Sequence, residues 1–219
     1  MTYILHIESA TKSCSVGLSK DGACIDVIEE HGEKYVHGEK LAVFISQIFE
    51  RNSIDIQILS AVSISAGPGS YTGLRIGVSM AKGICYALSI PLIEIDTLCS
   101  YEQCARLKNI DNTLCVMIDA RRMEVYSAIF SSESVLLKNT SSDIIDQYSY
   151  IDYEPFTCIG DGADKMSEIW KDRSIDFSEN IYLSAIGQVS LAYKKYLTQD
   201  FVDIAYFEPN YIKEFYSGI

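Results

Sequence analysis

The chain holds 219 residues, enough for one large domain or two small ones around a shared core and too few for a long repeat array. With 48% hydrophobic and 22% charged residues it can bury a core, which excludes disordered, collagen-like and low-complexity classes. A formal net charge of −12 is the wrong sign for a chain that neutralises nucleic-acid phosphates by itself, so any RNA is expected to be held by a partner.

Residues 3–7 read as an apolar strand, reached without a basic leader and followed directly by Glu8, so no secretory signal is expected. Residues 14–18 form a second strand. Lys20-Asp21-Gly22 then turns the chain into a third, residues 23–28, because Asp-Gly between apolar runs favours a hairpin. Over His37–Asn52 the residues Leu41, Phe44, Ile45, Ile48 and Phe49 recur at helical spacing with charged residues mostly opposite, which predicts an amphipathic helix. Residues 61–66 read as a buried strand, 72–88 as a helix and 92–95 as the next strand, an order that implies a parallel crossover. The longest uncharged stretch, residues 56–74, is broken by Gly67-Pro68-Gly69 and is too polar to span a bilayer.

A helix over residues 98–107 leads to Lys108-Asn109-Ile110-Asp111-Asn112, the polar stretch expected to divide residues 1–110 from residues 111–219. Beyond it come strands at 114–118, Glu124–Phe130 and 135–137, then Phe156–Ile159, the turn Gly160-Asp161-Gly162, and helices over 163–170 and 185–197. Ile4-Leu5-His6-Ile7-Glu8 is answered half a chain later by Cys115-Val116-Met117-Ile118-Asp119, each followed by a second strand. A duplicated unit that opens with an antiparallel meander and continues with a crossover is the plan of the actin, sugar kinase and Hsp70 ATPase superfamily, so the expected fold is α/β with two actin-like lobes.

Among local motifs, Gly67-Pro68-Gly69-Ser70-Tyr71-Thr72-Gly73 lies between a strand and a helix, where backbone N–H groups can meet an anion. It matches neither nucleotide fingerprint, and a tight structural turn is the favoured reading. Gly73, Gly77 and Ala81 recur every fourth residue and flatten one helix face, either for packing on the chain's own sheet or for a partner helix, at about 1 kcal/mol of helix propensity per glycine. Glu8 and Asp119 stand where an ATPase of this superfamily keeps its phosphate-site acids, but neither following loop carries a glycine, so side chains would crowd a phosphate. His31 and His37 lie six residues apart in a loop and His6 inside a strand, which is no metal-ligand pattern. His37 is expected to cap or lie at the surface, His6 to point inward. Asp161 either meets a ribose or simply caps the following helix, the second being favoured. The seven cysteines are odd in number and lack a C-x-x-C pair, which points to reduced thiols and a cytoplasmic chain.

Ile7-Glu8-Ser9-Ala10-Thr11 with Cys14-Ser15-Val16, His37-Gly38-Glu39, the stretch from Gly67 to Arg75 followed by Gly77 and Ala81-Lys82-Gly83, Ile118-Asp119-Ala120-Arg121 with Glu124-Val125-Tyr126, and Pro209-Asn210-Tyr211-Ile212-Lys213 together resemble the bacterial TsaB (YeaZ) family. That resemblance covers nearly the whole chain. It implies an actin-like, non-catalytic paralogue of the transferase TsaD, acting in threonylcarbamoyl transfer to N6 of the tRNA adenosine beside the anticodon. Such a protein would bind a TsaD-like subunit, help recruit a TsaE-like ATPase and touch tRNA only through the complex, with homodimer or monomer left open for the free chain. Pairing through the first lobe would use Leu41, Phe44, Ile45, Ile48, Gly73, Arg75, Gly77, Met80 and Ala81. A vestigial nucleotide site would comprise Glu8, Thr11, Asp119, Arg121, Gly160 and Gly162, with no cofactor on the isolated chain, no metal, and a nucleotide at the partner interface as an open expectation. Two alternatives stand beside this one: an active ATPase or small-molecule kinase using Glu8 and Asp119, and a metallopeptidase-like protein.

Overall fold

In the computed structural model, which describes residues 1–32, 34–178 and 180–213, the first three strands form an antiparallel meander of β1 (Tyr3–Glu8), β2 (Cys14–Lys20) and β3 (Ala23–Glu30). Helix α1 (His37–Asn52) follows, and β4 (Leu59–Gly67) then returns parallel to β1. Helix α2 (Tyr71–Leu88) crosses over to β5 (Leu92–Asp96), parallel to β4, giving the order β3-β2-β1-β4-β5. After α3 (Thr97–Arg106) the pattern repeats with β6 (Leu114–Asp119), β7 (Glu124–Phe130), β8 (Leu136–Ile144), β9 (Phe156–Ile159) and β10 (Ile175–Phe177), in the order β10-β9-β6-β7-β8. Each sheet thus joins three antiparallel strands to two parallel ones, and the fold is the duplicated actin-like one.

The first lobe forms as the periodicity dictates. Leu41, Phe44, Ile45, Ile48 and Phe49 of α1 are buried against Leu5, Ile7, Val16, Leu18 and Ile64 of the sheet. Ser70 caps α2 by accepting from the Gly73 N–H at 3.2 Å, and Ser89, in a left-handed conformation, ends it. Asp96 caps α3 by accepting from Leu98 and Cys99 N–H groups at 2.8 and 3.0 Å. No helix among the described residues is long and apolar enough to cross a membrane.

The second half departs from expectation in four places. Strand β8 runs to Ile144 rather than ending at 137, because its polar middle finds partners: Lys138 Nζ lies 2.7 Å from Asp143 and 2.6 Å from Ser141 Oγ. β10 is only three residues long and carries too short a pattern to stand out. The helix expected over 163–170 is a single 3-10 turn, Ala163–Met166, without a side-chain cap, after which a further turn delivers the fully buried Trp170 to the core. The final helix, α4 (Val189–Leu197), is preceded by a 3-10 turn at Ala185–Gln188, pressed so closely on α3 that a methyl group at Gly187 would collide with the Ser100 carbonyl.

The expected division at 110/111 also needs correction. Ala192 of α4 packs with Ile4, Ala61, Ile93 and Ile95 on the first sheet, and Val202 N donates to Leu92 O at 3.0 Å. The chain crosses to the second lobe and then comes back. Residues 214–219, assigned with the second lobe, lie outside the described residues.

Candidate functional site

Glu8 ends β1 fully buried. Its carboxylate accepts from Ala10 N at 2.8 Å, from Ser65 Oγ, and from Gln188 Nε2 at 3.3 Å. Burial raises its pKa above the usual carboxylate range, with these hydrogen bonds opposing part of that rise. Gln188 also donates to Ile7 O at 2.7 Å and accepts from Ser63 Oγ, while Ser63 and Ser19 flank both ring nitrogens of the inward-pointing His6 at 2.7 and 2.8 Å. Desolvation pushes His6 down to about 3, so it is neutral. His37 is buried too, not at the surface: its Nε2 lies 2.8 Å from Thr11 O and anchors the β1–β2 loop.

Asp119, at the matching end of β6, is exposed, but its Oδ1 is held by Lys165 Nζ at 2.5 Å and by the Arg121 N–H at 2.5 Å. Asp161 accepts from Asp119 N at 3.0 Å rather than capping a helix. A Cβ on Gly160 would strike the Met117 carbonyl of β6, and one on Gly162 would sit tightly against the Met117 and Ile118 backbone. Thr11 is buried with its hydroxyl accepting from Ser13 N at 3.2 Å. Of the six residues expected as a vestigial nucleotide site, Glu8, Thr11 and Asp119 have side-chain hydrogen bonds to the chain's own atoms, and Arg121 contributes its backbone N–H to Asp119.

The glycine-rich turn is likewise filled from within. Ser70 N donates to Ala10 O at 2.6 Å, and a Cβ at Gly69 would collide with that same carbonyl. Gly67 takes φ +106°, and a Cβ there would sit 2.6 Å from Asn210 O. Asn210 N in turn donates to Ala66 O at 2.6 Å. The turn is a socket for the C-terminal segment, not an anion cradle.

The docking residues need the largest correction. Leu41, Phe44 and Ile48 lie in the core, and the face of Gly73, Gly77 and Ala81 is turned inward: side chains at 73 and 77 would meet Ser9, and Ile64 Cδ1 lies 3.0 Å from a Cβ at 77. Ile45 is nearly buried and only edges a shallow hollow beside Phe49 and Ile54. Of the expected set, Arg75 is exposed and Met80, half-buried against the core, still reaches the surface. With Ile76, Ile84, Leu88, Gly38 and Ile56 they line an apolar groove of about 860 Å³ along the outer face of α2. Its signal was present in the sequence, because Ile76, Met80, Ile84 and Leu88 recur every fourth residue as a second apolar stripe.

The family model described as TsaD, tRNA N6-adenosine threonylcarbamoyltransferase, matches residues 34–214. The tRNA threonylcarbamoyladenosine biosynthesis protein TsaB of Escherichia coli K12 is 33% identical over 132 residues, 59% of this chain and 55% of that protein. Its namesake in Bacillus subtilis 168 is 27% identical over 140 residues, 64% of this chain and 60% of that protein. The matched region thus spans little more than half the length of these curated relatives. The solved structure of YeaZ from Pseudomonas aeruginosa shares the fold, with a TM-score of 0.84 over 96% of this chain and 100% of that one at 21% identity. The chain belongs to the family of TsaD-type tRNA N6-adenosine threonylcarbamoyltransferase domains and, within it, resembles the TsaB (YeaZ) proteins.

Proposed function

We propose that this chain serves tRNA threonylcarbamoyladenosine biosynthesis as a non-catalytic subunit that docks a TsaD-type transferase through the α2 groove. The observation that carries the reading is a contrast on one lobe: the acid at the end of β1 is sealed in hydrogen bonds, while on an adjacent helix Ile76, Met80, Ile84 and Leu88, half-buried against the core, line an open apolar groove. An apolar groove on a chain whose net charge is −12 favours a protein partner over RNA. The occupant is the corresponding helix face of the transferase, because the TsaD family model itself covers α1 and α2 of this chain, so the partner carries a lobe of the same construction. In this reading tRNA is held by the transferase, a TsaE-type ATPase joins the assembled pair, any nucleotide sits at the subunit boundary, and the groove closes on a second copy when the transferase is absent.

Light scattering after size exclusion tests this, with the chain alone and mixed with the TsaD-type transferase of the same organism. A stable mixed complex that replaces any homodimer is expected. Failure to associate at micromolar concentration, combined with ATP turnover by the isolated chain that Asp119→Asn abolishes, would replace the reading with that of an actin-like ATPase.

A further inference from the structure

The motif Pro209-Asn210-Tyr211-Ile212-Lys213 does not line the α2 groove, yet it ties three parts of the molecule together. Asn210 plugs the socket at Ala66 and Gly67, and Lys213 pairs with Glu124 of β7 in the second lobe. Between them, Tyr211 packs on Tyr71 with ring centroids 4.8 Å apart, and its hydroxyl accepts from Arg75 Nε at 3.3 Å. The Arg75 guanidinium carbon lies 4.2 Å from the centroid of the Tyr71 ring. A long, exposed arginine is thereby held at two points, by an aromatic face and by a hydrogen bond, at one end of the apolar groove.

We propose that this segment is a strap that preorganises Arg75 for the docked partner, making Tyr211 a positioning residue of the interface. The proposal rests on the docking reading above and specifies how the groove orients what it binds. With Nε committed to Tyr211, the two terminal amines of the planar fork remain for a carboxylate or for the carbonyls at a helix end. At the other end of α2 the groove meets Ile56 and runs into the hollow bordered by Glu50 and Asp55. The surface therefore passes from cationic at Arg75 to anionic at Glu50 and Asp55. It suits a helix lying antiparallel to α2, its C-terminal end, where the macrodipole is negative, against Arg75. Fixing the guanidinium before docking spares the complex the entropy of ordering a long side chain, so the strap acts on affinity without entering the groove.

Tyr211→Phe tests this, since it keeps the ring and deletes only the acceptor. Titration calorimetry of the full chain with the purified TsaD-type transferase should show about tenfold weaker binding at an unchanged melting temperature, the scale of one hydrogen bond to a charged group. Arg75→Ala should cost at least as much, and adding Tyr211→Phe to Arg75→Ala should cost nothing more, because Tyr211 acts through Arg75. Wild-type affinity for Tyr211→Phe, or additive losses in the double variant, would overturn the strap's role. Met80→Asp separates this from the docking reading. If it weakens binding while Tyr211→Phe does not, only the strap proposal fails; if Met80→Asp and Arg75→Ala both bind as wild type, the groove is not the docking site and both fail.

Discussion

Gln188 Nε2 donates to Ile7 O at 2.7 Å and reaches the Glu8 carboxylate at 3.3 Å, so a residue near the end of the chain seals the strand end where an actin-like ATPase would present its first acid. Gln188 is fully buried, and its own carbonyl accepts from Ser63 Oγ at 2.7 Å. Gln188→Leu keeps the volume and strips the partners from these buried groups. Leaving such groups unpaired costs about 2–4 kcal/mol in sum. Urea denaturation should show that loss; a change below about 1 kcal/mol would mean that water or a rearranged Ser65 replaces the amide.

Glu8 makes the same corner sensitive to pH. Because its folded-state pKa is raised, the folded chain binds the proton more tightly than the unfolded chain does. This contribution to stability is fully present below the ordinary carboxylate pKa and is lost as pH rises through the folded value. Glu8→Gln, neutral at every pH, should therefore flatten stability against pH above about 4.5 and should leave the complex with the transferase intact. A parallel pH profile for variant and wild type would show that Glu8 ionises in the fold without cost.

The first lobe was legible because its signals are local and redundant: a five-residue apolar stripe on α1, an Asp-Gly hairpin and a strand–turn–helix order all agree. The second lobe was less so. β8 places Lys138, Ser141 and Asp143 in mutual contact, a polar strand that no apolar alternation announces. The site was the least legible part, since α2 is apolar on two faces and spacing alone does not say which meets the sheet. Small residues at 73, 77 and 81 suit the chain's own sheet and a partner helix equally, and here they let Ser9 and the β1 loop approach the helix. Nor does spacing reveal that residues 210 and 67 are neighbours, a contact set by the return of the chain to its first lobe.

Arg106 ties the lobes from the other side of the crossing. Its guanidinium donates to Ile110 O at 2.6 Å, Asn112 O at 2.9 Å and Ser131 O at 2.6 Å, and pairs with the buried Glu102 at 2.6 Å. Arg106→Met removes the cation and leaves Glu102 without its counter-ion, a change that costs about 3–5 kcal/mol when one partner of a buried pair is lost. Chemical denaturation should report that loss, and the double variant Arg106→Met/Glu102→Gln should recover part of it. Equal stability of single and double variants would assign the loss to the three carbonyls rather than to the charge.

The two faces of α2 are distinguished by a pair of glycine substitutions. At Gly77 a leucine has no room, because its first carbon already meets Ser9 Oγ and Ile64 Cδ1. Overpacking of this kind costs about 3 kcal/mol or more where a backbone loop must move, so Gly77→Leu should lower the melting temperature steeply or prevent soluble expression. At Gly83, on the same helix but lining the groove, nothing lies within 4 Å of an added Cβ. Gly83→Leu should raise stability by roughly 0.5–1 kcal/mol through helix propensity, while its side chain occupies the groove and blocks the partner. Thermal melts and size exclusion with the transferase read both effects on one set of samples. A Gly77→Leu protein that folds and yet fails to associate would return the interface to the inner face; a Gly83→Leu protein that associates normally would remove it from the outer one.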